Sequence, residues 1–249
     1  MATRPERSGT HRHRRPQRRR GAGWAPPVLA LACLVLVAVS GQRAFAALHF
    51  ATAHKEIESM PSERRVSEAH LEAVEADLQR ALALWPGHPR FLDYRAQLAT
   101  IRAEQIGVVG SERTDLLTRA ADDYRRSLSG RPLWPYSWAK LLSVKDKLGE
   151  LDSEFNEAMH QAAETGPWEP GVQMHVLDSG LRHWNRLGGT ERDLVRTTVA
   201  QALEVQPRNV FAMVRNHGRP DLVCGANAEY AHIKRWCERV TEMPANGVY

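Results

Sequence analysis

The sequence predicts an all-α protein in which a single transmembrane helix precedes a tetratricopeptide-like solenoid of helical hairpins. Two observations lead to this prediction. An uncharged apolar segment follows an arginine-rich N-terminus, and the rest of the 249-residue chain repeats a helix–proline–helix pattern. Valine and isoleucine do not gather in the alternating runs typical of strands, whereas alanine, leucine, arginine and glutamate, which favour helices, dominate.

The positive charge of the chain is concentrated at its N-terminus. Residues 1–23 hold eight arginines and one glutamate, so this segment carries a formal charge of +7 while the whole chain carries +5. The remaining residues therefore carry −2, which does not suit a surface that tracks nucleic-acid phosphates. We expect a disordered, arginine-rich cytoplasmic tail and no nucleic-acid partner.

The apolar segment has two main interpretations. Residues 24–41 carry no charge, and residues 28–39 within them are apolar throughout. The uncharged segment is at the lower edge of the length that spans a bilayer. Flanking arginines place the preceding side in the cytoplasm. The first interpretation is an uncleaved signal anchor, and the second is a signal peptide cleaved after Ala44-Phe45-Ala46. A core helix of a soluble protein is a third and weaker alternative. We adopt the anchor as our prediction.

Four prolines punctuate the remainder of the chain. Pro86, Pro132, Pro167 and Pro207 are separated by 46, 35 and 40 residues, and an alanine or serine lies five residues before each. Mostly apolar residues recur eight and twelve positions before each proline, on one face of a helix. A proline that stops one helix and lets the next pack back on it is typical of tetratricopeptide repeats. A non-repetitive helical bundle is the alternative.

These patterns divide the chain into five parts. They are a cytoplasmic tail (1–23), a transmembrane helix (24–48), a linker or helical stalk (49–66), a tetratricopeptide-like helical domain (67–242) and a flexible tail (243–249).

No motif in the sequence points to catalysis. A glycine-rich phosphate loop, a G-x-S-x-G turn and an H-E-x-x-H pair are all missing. His175 and His183 would lie about 12 Å apart along a helix, too far to share a metal ion. We therefore predict neither enzymatic activity nor a cofactor or metal.

Two cysteines close to the C-terminus, Cys224 and Cys237, are 13 residues apart. In an oxidising compartment they could form a disulfide, and two free thiols are the alternative. A metal site that also uses His232 is a weaker third option, because no typical ligand spacing supports it. Cys33 lies in the apolar segment as an apolar filler.

Aromatic residues cluster at the proline turns. Trp134 and Trp168 lie in such turns, Tyr136 follows the first of them, and Trp138 begins a helix. Such residues can lock one repeat onto the next, or they can stack against the apolar CH face of a sugar ring. We take these four residues as candidates for binding or for repeat locking.

Part of this region resembles a known family. Arg131-Pro132, the segment WPYSWA at residues 134–139 and the segment GPWEP at residues 166–170 are similar to the VpsP family of bacterial polysaccharide biosynthesis proteins. The resemblance is strongest over residues 131–172. It implies a role in exopolysaccharide assembly or export at the inner membrane of a Gram-negative bacterium, and it carries over no catalytic residue.

We expect a single-pass inner-membrane protein with a cytoplasmic N-terminus and a periplasmic body. In the first hypothesis it is an adaptor that recruits protein components of a polysaccharide polymerase or export complex. The alternatives are a periplasmic carbohydrate-binding protein that guides the polymer and, more distantly, a polysaccharide-modifying enzyme.

The three hypotheses predict different surfaces. An adaptor should bury Trp134, Trp138 and Trp168 and show an apolar groove. A carbohydrate-binding protein should expose these side chains beside carboxylates. An enzyme should show a pocket where polar groups with shifted pKa values converge.

Overall fold

The computed structural model describes residues 24–60, 66–105, 108–224 and 231–241. Within these ranges the chain forms eleven α-helices, one 3₁₀ turn (Trp184–Arg186) and no strand, so the predicted all-α fold is confirmed. The helices are α1 (Ala25–Ser59), α2 (Glu68–Leu84), α3 (Pro89–Ala103), α4 (Gly110–Gly130), α5 (Pro135–Leu148), α6 (Ser153–Thr165), α7 (Pro170–Arg182), α8 (Gly189–Val205), α9 (Pro207–Asn216), α10 (Asp221–Cys224) and α11 (Ala231–Thr241). The two predicted tails, residues 1–23 and 243–249, lie outside the described residues.

The chain divides into two compact units, residues 1–42 and residues 43–249. In the first unit, α1 exposes large apolar side chains such as Leu29, Leu34 and Val37. The helix has a mean hydropathy of 2.0 over its most apolar stretch, in which no residue is buried. Among the described residues, α1 is the one helix long and apolar enough to cross a membrane.

The second unit begins inside α1, earlier than the predicted end of the transmembrane segment at residue 48. Ala46, Phe50, Ala53 and Ile57 recur every three or four residues and are buried in a cluster with apolar residues of α2 and α3. This spacing forms one face of a helix. Residues 49–59, predicted as a linker or helical stalk, therefore belong to a helix that packs on α2 and α3.

Three connections share a Pro-x-x-Pro turn, at residues 86–89, 132–135 and 167–170. The second proline of each turn begins α3, α5 or α7, a position where the missing N–H costs no hydrogen bond. In each turn the residue before the second proline donates its backbone N–H to the carbonyl of the residue before the first. These bonds run from His88 to Trp85 (3.4 Å), from Trp134 to Arg131 (3.1 Å) and from Glu169 to Gly166 (3.2 Å).

Four helices precede the prolines that define the predicted repeats, namely Pro86, Pro132, Pro167 and Pro207. All four helices end in the same backbone conformation. The residue after each helix has φ between −135° and −144° and ψ between 50° and 79°. Its N–H donates to the buried alanine or serine that the sequence pattern singled out. The pairs are Trp85 with Ala81, Arg131 with Ser127, Gly166 with Ala162, and Gln206 with Ala202. In the fourth repeat Pro207 itself begins α9.

Successive repeats stack through these turns. Each helix from α2 to α9 contacts the next, and α5, α6 and α7 also contact α7, α8 and α9 respectively. The proline that begins α3, α5 or α7 lies against the residue at the C-terminal end of the helix that follows, which is α4, α6 or α8 respectively. The pairs are Pro89 with Gly130, Pro135 with Gly166, and the carbonyl of Pro170 with the side-chain amide of Gln206 (2.9 Å). This arrangement is compatible with the predicted tetratricopeptide-like solenoid.

A buried cation joins α5 to α6. The ammonium of Lys145, whose side chain is 1% exposed, donates to Glu150 (3.0 Å), Asp152 (2.9 Å) and Glu154 (2.8 Å). Burial acts to lower the pKa of Lys145, but the three carboxylates outweigh it and raise that pKa. Arg125 of α4 also binds Glu154 through two bonds (2.7 and 2.8 Å), and these bonds are the main reason that the pKa of Glu154 falls to about 2.

Gly180 provides a test of the packing of α7 against α8. A Cβ at this position would lie 2.4 Å from Cγ2 of Val195. Alanine favours helices over glycine by about 1 kcal/mol, yet we expect Gly180→Ala to lower the free energy of unfolding by about 1–3 kcal/mol because of this overlap. The measurement is urea unfolding of the full chain in a non-ionic detergent.

Gly189→Ala is the matched control, because a Cβ at that position in α8 has no atom within 4 Å. Adding Val195→Ala to Gly180→Ala should recover part of the lost stability. A Gly180→Ala protein as stable as the wild type would contradict the close approach of the two helices.

Candidate functional site

A cavity of about 560 Å³ lies between α1, α3 and α5, beside the turn at residues 132–135. This volume is within the range of small-ligand sites. Two of the four candidate aromatic residues, Trp134 and Tyr136, line it together with eight further residues, seven of them polar or charged and one a tyrosine. The cavity therefore combines an aromatic surface with many hydrogen-bonding groups.

Trp134 immediately precedes α5 and keeps 43% of its surface exposed. Its ring centroid lies 5.8 Å from that of Tyr136, and the guanidinium of Arg131 lies 5.1 Å from the centroid of Trp134. The two rings and the stacked cation form an aromatic patch at the edge of the cavity.

Tyr136 connects this patch to the next proline turn. Its hydroxyl donates to Glu169 (2.6 Å), and this hydrogen bond is the main cause of the raised pKa of Tyr136. Glu169 follows Trp168, which is 54% exposed and does not line the cavity. The structure thus places three of the four candidate residues, Trp134, Tyr136 and Trp168, along two neighbouring turns.

Trp138 has a different role. Its indole N–H donates to the carbonyl of Pro132 (2.7 Å), and its half-buried ring packs against the main apolar cluster. Gln173 makes the corresponding bond to the carbonyl of Pro167 (2.8 Å) one repeat later. For Trp138, the geometry supports a packing role that ties the start of α5 to its own proline turn.

The two carboxylates of the cavity are bound to groups of the protein. Asp93 accepts hydrogen bonds from Arg131 and from the hydroxyl of Ser137 (2.8 Å). Glu58 accepts from the hydroxyl of Tyr94 (2.8 Å), and burial together with this bond raises the pKa of Tyr94 to about 12. General acid–base catalysis needs a group poised to exchange a proton with the substrate. The arrangement is better suited to binding.

Two cations of the cavity, Arg90 and Lys140, form no ion pair among the described residues. The ammonium of Lys140 donates to Gln97 (3.0 Å), and burial lowers the pKa of Lys140. The guanidinium of Arg90 lies 5.1 Å from the ring centroid of Phe50 and 3.4 Å from Nε2 of His54. In the described part of the chain neither cation has a carboxylate within ion-pair distance, although the negative charges of Asp93 and Glu58 partly offset the effect of burial on the pKa of Lys140.

The charged residues of the cavity were not predicted. Arg90, Asp93 and Gln97 recur every three or four residues, so a polar face on α3 was a usable signal. Glu58 comes from the segment interpreted as a linker or helical stalk, and no spacing rule connects it to Lys140. Their proximity depends on tertiary packing.

A second cavity, of about 340 Å³, lies between α2, α3 and α4. Arg95 and Asp123 pair through two hydrogen bonds of 2.6 Å, and Arg102 binds Glu68 and Glu75. The four arginines and three acids of its lining give the same formal excess of one positive charge as in the cavity beside Trp134. No aromatic side chain lines the second cavity, so it is a weaker candidate for a ligand that contains a ring.

Cys224 of α10 and Cys237 of α11 are joined by a disulfide. Bonded sulfurs cannot act as thiolate ligands, so a metal site with His232 does not apply. In the described ranges no three histidine, cysteine or acidic residues are placed to hold a metal ion. Cys33 of α1 is exposed and free.

Comparison with protein-family models gave no match, and none of the curated proteins matches this sequence. The resemblance of residues 131–172 to the VpsP family stays a prediction. The function must therefore be inferred from the apolar helix, the fold and the cavity beside Trp134.

His175 of α7 should make stability depend on pH. Burial, with the positive charges of Lys140 and Lys147, lowers its pKa from 6.5 to about 4. The unfolded chain therefore binds a proton near pH 6.5, whereas the folded protein does so only near pH 4. Stability should fall as the pH is lowered through this window, by at most about 1.4 kcal/mol per pH unit from this residue.

His175→Gln removes this group from both states. Its urea midpoint should therefore decline less than that of the wild type between pH 6.5 and pH 4. Parallel declines for the two proteins would contradict a buried, neutral histidine.

Proposed function

We propose that this protein is anchored in the bacterial inner membrane by α1 and that its periplasmic helical body binds carbohydrate during polysaccharide assembly or export. The observation that carries the proposal is the exposed Trp134 beside a cavity rich in hydrogen-bonding groups. Sugar rings stack on aromatic faces through their CH groups, while their hydroxyls pair with polar side chains. Asp93, Ser137 and Gln97 provide such polar groups beside the ring.

The exposed tryptophans favour carbohydrate binding over a protein-binding groove. Trp134 and Trp168 are 43% and 54% exposed, and both have carboxylates nearby. The two larger described cavities are lined largely by polar and charged side chains, whereas a groove for an amphipathic partner helix should be apolar.

An adaptor for a protein of the polysaccharide system is the second candidate. Stacked helical repeats commonly bind proteins. Leu133, which is 76% exposed beside Trp134, adds apolar surface to that turn. This hypothesis expects Leu133 and Trp134 to contribute together.

Three observations support the proposed location. The arginines of residues 1–23 favour a cytoplasmic N-terminus. The apolar length of α1 suits a membrane span. The disulfide between Cys224 and Cys237 fits an oxidising compartment such as the periplasm. The role in polysaccharide production draws on the resemblance to the VpsP family.

Replacing Trp134 tests carbohydrate binding. Trp134→Ala should weaken binding of hexasaccharides about tenfold, because a stacking surface is lost, and Trp134→Phe should have a smaller effect. Binding is measured by calorimetry on the full chain in a polyoxyethylene detergent, which lacks a sugar head group, with neutral and acidic hexasaccharides.

Leu133→Ala is the matched control, since it shortens an exposed neighbour that has no ring to stack. Loss of binding only in Trp134→Ala supports the proposal. No binding of any hexasaccharide at millimolar concentration, together with loss of a co-purifying membrane protein in both variants, would favour the adaptor.

The topology has its own test. Protease added to spheroplasts should digest the body and leave a membrane-protected fragment that contains residues 1–42. Protein purified from membranes should retain its original N-terminus. Protection of the body would contradict the orientation, and a mature chain that starts at Ala47 would contradict the anchor.

A further inference from the structure

The lining of the cavity beside Trp134 carries an excess of positive charge. Arg90, Arg131 and Lys140 contribute three cations, and Glu58 and Asp93 contribute two carboxylates. Asp93 is already paired with Arg131. Among the described residues, Arg90 and Lys140 have no carboxylate within ion-pair distance, which leaves two cations available to a ligand.

The two available cations are partly removed from water. Lys140 is half-buried, and its one hydrogen-bond acceptor in the described part of the chain is the side-chain oxygen of Gln97. The guanidinium of Arg90 is held over the ring of Phe50. A partly desolvated cation binds an anion more strongly than one in open water, because fewer solvent contacts compete.

Two groups close to these cations, His88 and Arg131, also indicate a positive electrostatic potential. The pKa of His88 is lowered by burial and by the positive charges of Arg131 and Arg90. In addition, Nε of Arg131 is buried and donates to no acceptor among the described residues. A buried donor and a positive potential therefore belong to residues that line the cavity or adjoin it.

We propose that this cavity is a subsite for an acidic sugar, whose carboxylate is bound by Arg90 and Lys140 while its ring stacks on Trp134. This inference rests on the proposed carbohydrate binding and names the class of sugar, a uronic acid. A neutral sugar would leave both cations without an anionic partner. An anion without a ring would leave the patch of Trp134 and Tyr136 unused.

The test compares two ligands that have the same sugar rings and linkages, one with carboxylates and one with neutral methyl esters in their place. Hexagalacturonate and its full methyl ester have the same rings, and the ester carries no carboxylate. With the full chain in a polyoxyethylene detergent, calorimetry should show at least tenfold tighter binding of the acid. The difference should shrink as salt is raised, because salt screens the two cations.

Substitutions assign the preference to the cavity. Arg90→Gln and Lys140→Gln should each weaken binding of hexagalacturonate about tenfold and change binding of the ester little. Arg90→Lys keeps the charge and should retain most of the preference. Arg208→Gln is the matched control, because it removes an exposed arginine from α9. Unfolding midpoints verify that each variant is folded.

Each outcome has a distinct meaning. Equal binding of acid and ester would overturn the acidic-sugar subsite and leave carbohydrate binding intact. An equal loss in Arg208→Gln and Arg90→Gln would show general charge attraction and would also overturn the subsite. Failure of both galacturonate ligands to bind would overturn the subsite, and failure of every neutral and acidic hexasaccharide to bind would contradict the proposed function as well.

Discussion

The contact between a proline turn and the end of the next repeat determines where the candidate site forms. The ring of Pro135 lies so close to Gly166 that a Cβ on the glycine would be 2.6 Å from it. Since Trp134 directly precedes this proline and Glu169 belongs to the turn that follows Gly166, the contact brings the two turns together. Tyr136 can then reach Glu169. The aromatic surface is thus a result of how the repeats stack.

The tryptophans of the body show that exposure at these turns is selective. Trp184 is 8% exposed, and three arginines stack on it, with that of Arg219 only 4.1 Å from its ring centroid. Trp138 is held by the carbonyl of Pro132. Large aromatic rings elsewhere in the body therefore find cover within the fold. Trp134 and Trp168 remain exposed, which is consistent with contact to another molecule.

Local sequence patterns predicted the helices well, because helical periodicity and proline turns depend on neighbouring residues. Leu78, Tyr124, Met159 and Val199 were placed on one helix face, and all four are buried. The end of the apolar segment was harder to predict, since a helix facing lipid and a helix facing a protein core have similar compositions. The charged cavity could not be predicted from local sequence patterns. Its residues come from three helices and the turn before α5, and only tertiary packing brings them together.

The buried ammonium of Lys145 has a consequence for how this protein can evolve. Removing it alone would leave Glu150 and Asp152 without their cation and Glu154 with Arg125 alone, whereas losing one of the three acids would still leave the ammonium two partners. Mutations at these four positions should therefore be strongly non-additive. The carboxylate of Glu150 has no other bond among the described residues, whereas Asp152 also caps α6 and Glu154 also binds Arg125. Related sequences that lose the lysine should therefore lose Glu150 with it most often, so these two positions should co-vary most strongly.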